Sequence, residues 1–204
     1  MGRLICILGK SASRKDTIYR RLLLDTQMRV EPMVTCTTRP MRDGETDGVE
    51  YHFCSVEQMK KLEEEGCIIE MRTYDTTEGL WYYFTADDGS VDLEKNDYII
   101  IGTVESYEKL RDYFGKEKVI PIYITLDNGE RLSRALMRER VRKNPDYEEM
   151  CRRFLADEKD FSDIRLEEAG ITKRFYNMNL DNAIAGIKEY LAQTGGDPQS
   201  GYQS

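Results

Sequence analysis

An unbroken apolar run, Leu4 to Leu8, passes directly into Gly9-Lys10-Ser11-Ala12-Ser13-Arg14-Lys15-Asp16-Thr17, and that segment into apolar residues at helical spacing, Ile18, Leu22 and Leu23. A buried strand, a glycine-opened loop and a helix in that order leave few folds open, because this is the frame of the phosphate-binding loop G-x-x-x-x-G-K-[ST]. In that motif the second glycine lets backbone N–H groups curl round a phosphate, the lysine reaches the β- and γ-phosphates, and the hydroxyl binds Mg²⁺. Gly9 and Lys15 fit the motif, whereas Arg14 stands in the second glycine's place and Asp16 in the hydroxyl's. The side chain of Arg14 must therefore either point outward or compete for the anion. Lys15 has a plainer reading as a surface lysine at a helix start; the strand and Gly9 before it favour contact with phosphate.

Downstream, short β-rich runs alternate with amphipathic helices, the pattern of an α/β architecture with a parallel sheet. Leu4–Leu8, Tyr98–Ile101, Val119–Thr125 and Arg174–Met178 read as its strands, and Gln58–Glu65, Ser106–Phe114 and Ala183–Leu191 as helices. Residues 33–86 break the rhythm with short β-prone pieces, Met33–Thr37, Tyr51–Cys54, Ile68–Met71 and Trp81–Thr85, and with turns at Asp43-Gly44 and Asp47-Gly48, as an inserted small sheet gives. From Asn128 to about Ile171 the chain is charged and helix-prone, with Arg131, Arg134, Arg138, Arg140, Arg142, Arg152 and Arg153; such a stretch is ordinarily a solvated face. The tail from Thr194 is rich in Gly, Gln and Ser and lacks the apolar residues that ordering requires, so it is expected to be loose.

At 204 residues the chain suits one domain with insertions better than two independent ones. A formal charge of −8 argues against general nucleic-acid binding and makes local clusters of arginine candidate sites for a small anion. No stretch approaches the ~18 consecutive apolar residues of a membrane span, and Met1 to Gly9 is too short for a signal peptide, so a soluble, cytoplasmic protein without membrane contact is expected. The cysteines Cys6, Cys36, Cys54, Cys67 and Cys151 are scattered and include no C-x-x-C pair, which suggests neither a disulfide framework nor a zinc site.

The inserted segment carries Thr35-Cys36-Thr37-Thr38-Arg39-Pro40-Met41-Arg42-Asp43-Gly44-Glu45, followed by Asp47-Gly48-Val49-Glu50-Tyr51-His52-Phe53. Two arginines three apart in a Pro- and Gly-punctuated segment can form a fork for a phosphate dianion, and Tyr51 can add a hydroxyl donor. The stretch resembles the T-T-R-x-x-R-x-G-E-x-[DN]-G-x-[DE]-Y-x-F signature of the guanylate kinase family, and the resemblance extends over roughly residues 3–192. It implies a P-loop NTPase-type three-layer α/β core with a parallel sheet (residues 1–32 and 87–193), an inserted small β-rich nucleotide-monophosphate-binding domain (33–86) and a helical lid (about 128–171). The implied reaction is phosphoryl transfer from ATP to GMP or dGMP, with Mg²⁺ arriving on the ATP and no metal cage of side chains.

By that resemblance Gly9 to Thr17, with Lys10, Ser11, Ala12, Ser13, Arg14, Lys15 and Asp16 between them, together with Asn177, would bind ATP. Arg39, Arg42, Tyr51 and Tyr83 would hold the GMP phosphate, Glu45 would belong to the arginine-containing loop, and Thr35 and Thr85 would face guanine O6. Glu70 would accept from guanine N1–H and N2–H, or it is a buried partner for an arginine. Lys15, Arg134, Arg138 and Arg153 would be catalytic, the three arginines alternatively being helix-surface charges. The Gly-Lys-Asp-Thr ending is similar to other nucleoside-monophosphate kinases, with Thr17 offering the hydroxyl. Thr103 replaces an aspartate of the family pattern and Phe84 a glycine. Besides an active kinase, a weakly catalytic nucleotide- or protein-binding module and a kinase for another phosphorylated acceptor stay open.

Overall fold

The computed structural model describes residues 2–42, 44–76, 79–87 and 89–194. In chain order the elements are β1 (Leu4–Leu8), α1 (Lys15–Leu23), β2 (Val30–Pro32), β3 (Cys36–Thr37), β4 (His52–Phe53), α2 (Val56–Glu64), β5 (Ile68–Thr76), β6 (Gly79–Ala86), β7 (Asp97–Ile101) and α3 (Val104–Phe114), followed by β8 (Val119–Thr125), α4 (Asn128–Arg140), α5 (Tyr147–Asp160), α6 (Asp163–Glu168), β9 (Arg174–Tyr176) and α7 (Leu180–Thr194). The chain divides into two compact units, residues 1–7 with 23–121 and residues 8–22 with 122–204.

In the first unit β1 is buried at every position, the property of a strand covered on both faces. It pairs in parallel with β7, which pairs in parallel with β2, while the Leu4 N–H donates to Lys118 O at the approach to β8. Arg3 ties the start of β1 to the start of β7, with its backbone N–H 2.8 Å from Asp97 Oδ1 and Nη2 2.7 Å from Asp97 Oδ2. A separate sheet in the same unit has the order β4-β3-β6-β5. β5 and β6 form its long antiparallel hairpin, with Glu70 opposite Thr85 and Arg72 opposite Tyr83. Phe84 faces away from that row, fully buried, with Cys36 and Met71 opposite it; the position where the family pattern has glycine is a packing position.

Sequence and structure differ most at element ends. The expected Met33–Thr37 strand shrinks to Cys36–Thr37, which joins the small sheet, and an unexpected strand just before it, Val30–Pro32, joins the parallel one. Helices α2 and α3 start two residues before their apolar patterns suggest, because Ser55 and Thr103 cap them through capping boxes closed by Gln58 and Ser106. The Asp47-Gly48 turn forms, with Gly48 in the left-handed region at φ 80° and its N–H on Tyr51 O at 2.8 Å. Asp43 of the other expected turn and residues 195–204 of the expected loose tail lie outside the described residues, and Thr194 itself closes α7.

In the second unit, β8 pairs in parallel with β9 through Tyr123–Arg174, Ile124–Phe175 and Thr125–Tyr176. Ile18 and Leu22 bury one side of α1. The charged stretch after Asn128 forms α4, α5 and α6, each opened by an acidic or hydroxyl cap, Asp127, Asp146 and Ser162. Among the described residues no helix is long and apolar enough to cross a membrane.

Candidate functional site

In the second unit the loop of residues 9–17 opens where the chain leaves β1. A Cβ on Gly9 would lie 2.7 Å from the Ile124 carbonyl oxygen on β8 and 2.9 Å from Ser13 Oγ, so the first glycine is required by close backbone approach. Ala12 and Arg14 both take left-handed backbone, φ 62° and 64°. Arg14 thus reproduces the conformation for which the motif uses glycine, and its exposed side chain points outward, the first of its two alternatives. Turns of this kind gather successive N–H groups into an anion-binding concavity. The Arg14 carbonyl accepts from Thr17 and Ile18, whereas the N–H groups of Arg14, Lys15 and Asp16 have no protein acceptor among the described residues. These are the orphan donors at the N-terminus of α1, where the helix dipole favours negative charge.

The loop carbonyls are held by side chains. Asn177 Nδ2 donates to Ser13 O at 2.8 Å and Arg131 Nε to Ser11 O at 3.1 Å. A carbonyl turned toward a protein donor is turned away from a bound anion. Asn177 is buried and buttresses the loop from beneath through this bond. Its Oδ1 and the Ser13 hydroxyl are buried without partners among the described residues.

Arg131 is a residue that the sequence pattern did not single out. Only 1% of it is exposed. Besides Ser11 O, it donates to Asn128 Oδ1 at 2.7 Å, Glu158 Oε1 at 2.6 Å and Asp157 Oδ2 at 3.1 Å, and it lies 4.6 Å from the centroid of Phe154. The same carboxylates reach the loop: Asp157 Oδ2 accepts from the Ser11 N–H and Glu158 Oε2 from Lys10 Nζ, each at 2.7 Å. Burial pushes the Glu158 carboxyl up, but hydrogen bonds from Lys10, Arg131 and Asn128 outweigh it and leave the group below its ordinary value. The i, i+26 and i, i+27 spacings have no local motif; only the packing of α5 with α4 brings these residues together.

The expected lid arginines do not share one environment. Arg134 Nε donates to Glu130 at 2.8 Å, while its Nη1 is a buried donor without a partner among the described residues. Arg138 is exposed, and Arg153 is exposed with Glu149 at 3.9 Å.

In the first unit the acceptor candidates collect on one face of the small sheet. Arg39, 3% exposed, sends Nη1 and Nη2 to the two oxygens of Glu45 at 2.8 and 2.7 Å and Nε to Tyr83 Oη at 3.1 Å. Its guanidinium lies 5.2 Å from the Tyr51 ring centroid and 5.4 Å from that of Phe53, within cation–π range. Glu45 also accepts from the Arg42 N–H at 2.8 Å; the Arg39 hydrogen bonds and this backbone donor hold its carboxyl at about 2. The Arg42 side chain is exposed. Tyr51 and Tyr83 meet edge to face at 5.6 Å. Glu70 is buried, with Thr85 Oγ1 donating to Oε1 at 2.7 Å and Arg72 Nε to Oε2 at 3.2 Å, so the arginine pairing left open by the sequence is realised. Thr35 is half-buried, and its carbonyl accepts from His52 N–H. Thr103, instead of lining the site with a charge, spends its hydroxyl on the α3 cap.

The guanylate kinase family model matches residues 1–194. The chain is 27% identical over 194 residues to a guanylate kinase of Chlorobaculum tepidum, covering 94% of this chain and 95% of that protein. Over a shorter stretch of 42 residues it is 60% identical to the membrane-associated guanylate kinase, WW and PDZ domain-containing protein 3 of Rattus norvegicus, covering 21% of this chain and 3% of that protein. Through such high-identity segments the chain spans 32% or less of the length of the curated relatives it matches. Among solved structures, a guanylate kinase of Anaplasma phagocytophilum superposes with a TM-score of 0.64 at 18% identity, over 96% of this chain and 87% of that one. At that identity the likeness establishes the fold, the α/β parallel-sheet architecture expected from the alternation of strands and helices.

Proposed function

The chain belongs to the guanylate kinase family, and from that premise we propose that it transfers the γ-phosphoryl group of ATP to GMP or dGMP, giving ADP and the nucleoside diphosphate. The observation that carries the proposal is the run of N–H groups at Arg14, Lys15 and Asp16 without acceptors among the described residues, beside loop carbonyls that Arg131 and Asn177 hold. That arrangement suits the phosphates of the donor, and Lys15, at the first position of α1, adds the mobile positive charge.

Phosphoryl transfer asks the protein for alignment and for positive charge around the transferring oxygens. Arg134 fits the second need, because its buried Nη1 lacks an acceptor that a phosphoryl oxygen would supply. Arg138 and Arg153, exposed cations on α4 and α5, would serve the same need. On the acceptor side Arg39, fixed by Glu45 and Tyr83, would orient the GMP phosphate with Arg42 and Tyr51, while the lone pairs of Glu70 not used by Thr85 and Arg72 would take guanine N1–H and N2–H. Mg²⁺ would be held by oxygen donors at the start of α1, Thr17 and Asp16, whose chemistry suits a hard cation. Bound with ATP, it would neutralise charge on the phosphates. No cluster of three or more His, Cys, Asp or Glu side chains forms a resident metal cage among the described residues.

A second reading, a nucleotide-binding module with little turnover, draws support from the occupation of Ser11 N–H by Asp157 and of Lys10 by Glu158. A coupled assay of ADP release with MgATP against GMP, dGMP, AMP, CMP and UMP separates the two. Turnover selective for GMP and dGMP is expected; no ADP release with any acceptor would leave the binding module standing, and turnover of another acceptor alone would move the proposal to that substrate.

A further inference from the structure

Phosphoryl transfer as described gives Arg72, a described cation of the acceptor face, no contact to substrate. Arg72 lies two residues after Glu70 on β5, hence on the same face of the strand, and opposite Tyr83, whose hydroxyl meets Arg39. Its Nε donates to Glu70 Oε2 at 3.2 Å, while Thr85 takes Oε1. The carboxylate of Glu70 is 3% exposed and both its oxygens are engaged, whereas Arg72 keeps 21% of its side chain exposed. Among the described residues neither terminal NH₂ of Arg72 has a protein acceptor.

A guanidinium with Nε tied to a carboxylate has its plane restricted and its remaining donors free for a ligand. Guanine offers two adjacent acceptors, N7 and O6; adenine offers N7 beside an N6–H₂ donor. A donor pair therefore accepts the first base and meets a donor on the second. The Thr85 hydroxyl serves that edge poorly here, because it donates to Glu70. We propose that Arg72 is a specificity-determining residue that reads the N7/O6 edge of the guanine acceptor, held in place by Glu70. The assignment rests on the guanylate kinase reading of the chain.

The test is a cycle between side chain and substrate. Steady-state kinetics with MgATP compare GMP with 7-deaza-GMP, which lacks the N7 acceptor, and with AMP, for the wild type, Arg72→Ala and Arg72→Lys. The lysine variant keeps a charge beside Glu70 without the fork, so a failure of the alanine variant to fold does not end the test. Expected are a loss in kcat/KM for GMP of about tenfold or more in both variants and a smaller GMP preference over AMP. The wild type's penalty for 7-deaza-GMP should vanish in both variants. An equal loss on GMP and 7-deaza-GMP, or a lysine variant identical to the wild type, overturns the proposal. The same cycle read as Kd by calorimetry tests Arg72 in a protein that turns over no nucleotide: failure to phosphorylate GMP removes the kinase reading, and failure to bind GMP, or binding insensitive to N7, removes this one.

Discussion

At Arg14 the backbone holds φ 64°, a conformation that costs a side-chain-bearing residue about 1–2 kcal/mol over the right-handed region. Glycine would relieve that strain and return about 0.4–1 kcal/mol through the larger freedom of the unfolded chain. Arg14→Gly should therefore stabilise the protein by about 0.5 kcal/mol or more in chemical denaturation while leaving activity unchanged or higher, because the exposed side chain holds no loop contact. A marked loss of activity would show that the guanidinium is part of the site. Lys15 is the opposite case: Lys15→Ala should lower kcat by orders of magnitude with little change in melting temperature, and wild-type turnover in that variant would remove the loop from the mechanism. Glu45 sets a pH dependence. Its folded pKa, about 2, lies below the ordinary carboxylate value, so its pairing with Arg39 contributes fully above about pH 4.5 and is lost as pH falls toward 2. The stability gap between wild type and Glu45→Gln should accordingly be widest above about pH 5 and close as pH approaches 2; a gap independent of pH would mean that the pair contributes nothing. Lys15, Arg39, Glu45 and Tyr51 stood out as candidates because short motifs contain them, and Tyr83 because of the family resemblance. Arg131, Asp157 and Glu158 did not, since no local spacing announces a contact across more than two dozen residues.

Among elements, those with continuous apolar runs announced themselves: β1 and β8 have the bounds that the sequence suggests. Helix starts were less legible, because a cap such as Ser55 or Thr103 is polar and sits outside the apolar period. β2 was missed because its three residues, ending in Pro32, carry too little pattern to separate them from the next strand. The helices α4 and α5 show what pattern alone cannot reach, for their arginine-rich sequence looks like a solvated face while Arg131 is buried at its centre. Removing one partner of a buried ion pair costs about 3–5 kcal/mol, and here the partly exposed carboxylates left behind can be hydrated, which moves the cost to the lower end. Arg131→Met should destabilise the protein by about 3 kcal/mol and raise KM for ATP more than KM for GMP. Arg131→Lys, which restores a charge without the fork, should recover stability better than ATP affinity. Equal changes in both Michaelis constants would make the network a general structural support with no particular bearing on the loop.

At the scale of the molecule, the residues proposed for the phosphate donor fall in the second unit and those proposed for the acceptor in the first. The division is not a clean cut of the chain, since it passes within β1, α1 and β8, so each unit contains part of a strand or helix completed by the other. Unfolding one unit must break elements of both, and a single cooperative transition is the expected behaviour for this chain. Linkage then makes a distinguishing prediction. A ligand at 100 times its Kd adds about 2.7 kcal/mol to the native state, which for a chain of this size corresponds to a rise of about 5–10 °C. GMP alone and a non-hydrolysable ATP analogue alone should each raise the same calorimetric transition, with van't Hoff and calorimetric enthalpies in agreement. Two transitions, with GMP moving one and the ATP analogue the other, would show instead that donor and acceptor halves fold independently and that strand continuity does not couple them.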